Sequence, residues 1–161
     1  MKELSSENSL EQLVKQLKSD HPEIKFIVGD NFCWSPASQT LFYKDNDQSP
    51  KSLHLLLHEL AHAKLKHEGY FYDNELVKLE LAAWEYSRHN FYPRYVKKFN
   101  QALADYYLEY YRNWLYKRSL CPNCQSTGQQ ADDLIYNCPI CGQKWQSNEA
   151  KFTRIKKQKL K

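Results

Sequence analysis

The chain has 161 residues, 42% hydrophobic and 14% aromatic, enough for one ordinary domain or for a core of about 115 residues with a small appended module. A mean hydropathy of -0.80, with no apolar run approaching about 18 residues, argues against a membrane span. The net charge of +4 conceals an asymmetry: residues 1–87 carry 9 Lys+Arg against 14 Asp+Glu, and residues 88–161 carry 14 against 5.

The start, Met1 to Asn8, is polar and acidic and lacks the charged-then-apolar layout of a secretory signal, so a cytoplasmic location is expected. Leu10, Leu13, Val14 and Leu17 fall at helical spacing and predict an amphipathic helix from about residue 7 to 18. Lys25–Gly29 reads as a strand. Phe32-Cys33-Trp34, the turn Ser35–Ser38 and Gln39–Tyr43 read as a β-hairpin. After the polar loop Asp45–Pro50, a leucine-rich helix is expected from Ser52 to His67, with Gly69 as its stop. Asp73 or Asn74 can cap a second helix running to about Phe91, ahead of Pro93. A third, tyrosine-dense helix is predicted over Tyr95–Arg118. Its Tyr106, Tyr107, Tyr110, Tyr111 and Trp114 are expected to pack rather than to form a binding platform. Lys151–Lys161 has six basic residues in eleven and no acidic one, and is expected to be mobile.

The leucine-rich helix contains His58-Glu59-Leu60-Ala61-His62. Histidines four residues apart lie one above the other on a helix face, so both imidazoles can reach one metal ion while the helix stays intact. Glu59 is then placed to act on water rather than on the metal, as general base. A catalytic zinc needs a third protein ligand and one open position. Glu80, eighteen residues after His62, is the preferred third ligand, because an antiparallel second helix would return it to the metal. Glu85 is held in reserve, and Glu75 lies a turn too early. His54 continues the four-residue series, with an ordinary helix histidine as its plainer reading. His67 should point away from the shared face unless the helix ends before it. An oxyanion would need a second donor, for which Tyr70, Tyr72, Tyr86, Tyr92, His54 and His67 are all open. The strand near Gln39–Tyr43 is a candidate for pairing with an extended peptide.

The second metal signature is Cys121-Pro122-Asn123-Cys124 and Cys138-Pro139-Ile140-Cys141, with thirteen residues between the pairs. Matched Cys-x-x-Cys pairs in a chain without an export signal indicate reduced thiolates around one structural zinc. Tyr136 and Trp145 are then expected as the core of this small module rather than as exposed stacking groups. Cys33 is left over and is expected to be a buried, inert thiol. The basic half would favour a polyanion such as nucleic acid, although lysines kept for solubility explain the same counts.

The run Leu56-Leu57-His58-Glu59-Leu60-Ala61-His62-Ala63, the following Lys66-His67, and Asp73 to Glu80 with Ala83-Trp84 together resemble the metallopeptidase core of the ImmA/IrrE-like group over roughly residues 25–92. The resemblance implies zinc held by His58, His62 and Glu80, with Glu59 catalytic, and regulatory proteins as substrates. Members often carry a DNA-binding helix-turn-helix; no convincing one is read in this sequence, which weighs against repressor cleavage. SprT-like proteases also join such a helix to a C-terminal zinc ribbon. Their third ligand is a more distant histidine, and His89, twenty-seven residues past His62, fits that role poorly.

The resulting expectation is an α+β protein. It would have a zincin-like domain over 1–118, a four-cysteine zinc ribbon over 119–148 and a basic flexible tail over 149–161. It would hold one catalytic and one structural zinc and act as a zinc-dependent endopeptidase on a protein or peptide. The alternative is a non-catalytic zinc adaptor binding nucleic acid or protein through the ribbon and tail.

Overall fold

The computed structural model describes residues 9–47, 49–150 and 153–161. The expected helix start near residue 7, the polar N-terminal stretch, and Lys151 and Phe152 of the basic tail lie outside them. The fold is α+β, and among the described residues no helix is long and apolar enough to cross a membrane. The chain divides into two compact units. One is built from the chain up to Glu68 with Leu79–Ala104, the other from Gly69–Lys78 and Asp105–Lys161. The boundary expected at residue 118 is therefore displaced, because helices α3 (Asp73–Asn90) and α5 (Gln101–Ser119) each contribute to both units.

In the first unit, α1 (Leu10–Asp20) begins with a capping box. Ser9 Oγ accepts the Gln12 N–H at 3.2 Å, and Gln12 Oε1 accepts the Ser9 N–H at 3.5 Å. Its Leu10, Leu13, Val14 and Leu17 are buried, as their spacing requires. Strands β1 (Lys25–Val28), β2 (Cys33–Ser35) and β3 (Thr40–Tyr43) form a sheet in the order β1-β3-β2. The expected hairpin is the antiparallel β2–β3 pair, while β1 runs parallel to β3. β3 is thus central, with both of its edges paired, so Gln39–Tyr43 has no free edge for an added strand, and the outer strands are β1 and β2. Cys33 corrects another expectation: it is exposed, because it alternates with the buried Trp34 on the edge strand β2.

Helix α2 (Ser52–Lys64) packs on β2 and β3 through fully buried Leu56, Leu57 and Leu60. Each of these side chains contributes roughly 1.5–3 kcal/mol by leaving water. The helix ends before His67 because Lys66 takes a left-handed φ of 56°. The third predicted helix begins late, as α5 at Gln101, and only its first residue, Tyr95, falls in the short helix α4 (Tyr92–Tyr95). Lys97 has φ 71°, and Asn100 Oδ1 starts α5 by accepting the Leu103 N–H at 3.0 Å.

The second unit carries an antiparallel sheet, β4 (Gln129–Asp132), β5 (Ile135–Asn137), β6 (Lys144–Ser147) and β7 (Lys157–Leu160), in that order. Its core is Cys121, Tyr136, Cys138 and Trp145, with the two rings stacked 5.5 Å apart. Gly128 is required there, since a Cβ would lie 2.2 Å from Trp145 Cη2. Trp114 is buried with Leu76 and Leu115, whereas Tyr106 and Tyr110 are exposed. Fully buried Arg118 is compensated on every side. Its Nε donates to the Tyr136 hydroxyl at 2.9 Å, its Nη1 donates to the Glu149 carbonyl, and its Nη2 pairs with Asp73. The Tyr136 hydroxyl donates in turn to Asp73 Oδ2 at 2.6 Å.

The basic tail is not a free appendage. Residues Lys157–Leu160 pair with β6, and Lys157 Nζ donates to the carbonyls of Lys117 and Leu120, at the C-terminal end of α5. An ammonium there meets orphan carbonyls and the negative end of the helix dipole, so this lysine anchors the strand instead of solvating it.

Candidate functional site

His58 and His62 project from one face of α2, as four-residue spacing dictates. Their Nε2 atoms face each other at 3.1 Å. Glu80, from α3, brings Oε2 to 2.9 Å from His58 Nε2 and 3.7 Å from His62 Nε2. Three donors on a zinc at about 2.0–2.2 Å in tetrahedral directions stand roughly 3.3–3.5 Å apart, close to the observed triangle. The group could hold a metal ion. Donor chemistry points the same way: two ring nitrogens aimed at each other and at one carboxylate oxygen share at most a proton or two, whereas a cation satisfies all three lone pairs.

The group is largely buried. Glu80 is 6% exposed and His58 4%. Burial pushes the Glu80 carboxyl up, but hydrogen bonds and charge attraction from His58 and His62 overcome it and hold the group well below the usual carboxylate range. Trp84, one turn beyond Glu80 on α3, stacks on His58 with ring centroids 4.1 Å apart. One face of α3 therefore supplies both a carboxylate and the wall behind an imidazole. Ala61 and Ala83, both fully buried, add no bulk to the core beside these groups.

Glu59 stands outside the three-atom group. Its Oε2 accepts the backbone N–H of Trp34, on β2, at 2.8 Å. The Trp34 indole N–H donates to the carbonyl of His67 at 3.1 Å, and His67 Nδ1 lies 2.8 Å from His62 Nδ1. Burial and the neighbouring His62 hold His67 below the ordinary histidine range. Neither tryptophan's part was read from the sequence. Trp84 had a usable signal in its four-residue offset from Glu80, whereas Trp34 acts on Glu59 through its backbone, which leaves no trace in residue type.

The other candidates are engaged elsewhere. His54 Nδ1 meets the Tyr92 hydroxyl at 2.5 Å. Glu85 faces Arg88 and His89 on its own helix. Glu75 Oε2 accepts the N–H groups of Phe71 and Tyr72. Tyr86 packs edge-on against Phe91, and Tyr70 and Tyr72 belong to the second unit. An open groove of about 640 Å³ in that unit is lined by Tyr72, Lys78, Arg112, Tyr116 and Gln129 among others, and contains none of the metal-capable groups.

In the second unit the Sγ atoms of Cys121, Cys124, Cys138 and Cys141 lie within 4.8 Å of one another and could hold a metal ion. The separations are 3.6 Å for Cys121–Cys141 and 3.5 Å for Cys124–Cys138. Sulfurs about 2.3 Å from a tetrahedral zinc stand about 3.8 Å apart, so the cluster has nearly that size. Hydrogen bonds from the Ser126 hydroxyl and N–H bring Cys124 down to about 6. Backbone N–H groups of Cys141 and Ile140 favour the Cys138 thiolate too, yet burial and the adjacent Cys124 and Cys141 sulfurs push it up to about 11. Four thiolates this close ionise together only around a cation.

No protein-family model, curated protein or solved structure matches this chain.

Proposed function

We propose that the chain is a zinc-dependent peptidase with a zincin-like first unit and a zinc ribbon in the second. The observation that carries the reading is the convergence of His58 Nε2, His62 Nε2 and Glu80 Oε2, with Glu59, next to His58 in the chain, held by the Trp34 N–H. The residues quoted above as resembling the ImmA/IrrE-like group support the same assignment.

A zinc ion held by those three donors would supply Lewis acidity to a carbonyl and to a water molecule. The chain's own residues do the rest. The Trp34 N–H holds the Glu59 carboxylate, which would take a proton from water and return it to the departing amine. Buried Trp84 and the leucines of α2 keep bulk water from the imidazoles. In the ribbon, reduced thiolates suit an intracellular protein. A regulatory or DNA-associated protein is the substrate class this reading favours.

The direct test is new amino termini. Denatured cellular proteins incubated with zinc-loaded chain should acquire them, a chelator should stop their appearance, and added zinc should restore it. A zinc-loaded chain that generates none would contradict the assignment.

A further inference from the structure

The geometry points to His67 as a positioning residue that locks His62 in the tautomer presenting a bare Nε2 to a metal. This rests on the metal reading of His58, His62 and Glu80 given above.

An imidazole that ligates through Nε2 carries its proton on Nδ1, and that N–H needs an acceptor to fix ring orientation. His62 Nδ1 lies 2.8 Å from His67 Nδ1, within hydrogen-bond reach and on the side of the ring away from His58 and Glu80. His67 must then be unprotonated at Nδ1 and carry its hydrogen on Nε2. It is placed to orient a ligand and not to be one.

The backbone builds this contact. Helix α2 ends at Lys64, and Lys66 turns the chain with φ 56°. The His67 N–H then donates back to the His62 carbonyl at 3.0 Å. Without that left-handed residue, five-residue spacing would carry the ring off the face shared by His58 and His62. The Trp34 indole N–H fixes the turn from the sheet side by donating to the His67 carbonyl. Trp34 therefore holds Glu59 through its backbone and His67 through its ring, tying the proposed base and the ligand-orienting histidine to one strand residue.

The test is zinc affinity at the His58-dependent site, measured on the full chain by chelator competition with His58→Ala as the background. His67→Phe, which keeps a ring but offers no acceptor, should weaken that site about 10–100-fold. His67→Gln, which restores an acceptor oxygen, should recover most of the loss. Unchanged affinity in His67→Phe, or a glutamine no better than phenylalanine, would overturn the assignment. Imidazole ¹⁵N spectra of the unmutated chain test it without relying on a variant's folding. They should show His67 protonated at Nε2 and His62 at Nδ1, and a proton on His67 Nδ1 would sink the idea. Absence of any His58-dependent zinc in the unmutated chain would overturn the metal reading and this inference together. Normal zinc binding with an indifferent His67→Phe would remove this inference alone.

Discussion

Glu59→Gln should lower kcat/KM about 10²–10⁴-fold, the usual contribution of a positioned general base. That corresponds to roughly 3–5 kcal/mol of transition-state stabilisation. The substitution is informative because it preserves almost everything else. An amide oxygen can still accept the Trp34 N–H, and Glu59 is not one of the three converging donors, so fold and metal content should be unchanged. The measurement is the rate of peptide cleavage beside a zinc determination on the same sample. Equal turnover in both proteins would place the base elsewhere. Binding of a nucleic acid or protein partner by both, with cleavage by neither, would favour the adaptor alternative.

The second large effect belongs to the cysteine cluster. Cys121→Ser removes a fully buried sulfur from a hydrophobic cluster that, among the described residues, otherwise comprises Tyr136, Cys138 and Trp145. So small a core cannot hold a four-stranded sheet by burial alone, and metal binding supplies on the order of 10 kcal/mol in such modules. The variant should lose amide protection throughout β4–β7, with Trp145 becoming exposed. The loss should reach Lys157, because β7 is held by β6 and by carbonyls at the end of α5. Hydrogen exchange resolves this strand by strand. Persistent protection of β5 and β6 in the variant would show that the sheet stands without its metal.

What the sequence disclosed follows from which forces were local. The histidine pair was legible because helix periodicity alone puts i and i+4 on one face. Glu80 was legible because the start expected at Asp73 or Asn74 and the proline at 93 bounded the helix that returns it, although the Asp73 carboxylate pairs with Arg118 and Tyr136. Alternation around Trp34 and the turn at Ser35–Ser38 gave the hairpin. The failures came where a single backbone angle or a long-range contact decided. Lys66 and Lys97 adopt positive φ without being glycine, so α2 stops early and the third helix starts late where composition gave no warning. Lys157–Leu160 lacks the β-branched and aromatic residues of a strand, and what holds it is pairing with β6 and the capping of α5 by Lys157. Cys33 was misplaced because a residue's burial on a three-residue strand depends on which edge that strand occupies.

Metal stoichiometry bears most directly on the whole account. Elemental analysis of the purified chain should find two zinc ions per molecule. His58→Ala should retain only the ion held by the cysteines, and Cys121→Ser only the ion held by the imidazoles and Glu80. A single zinc, undiminished when His58 is replaced, would mean that the imidazole–carboxylate triangle holds no cation, and the hydrolytic role would be lost with it.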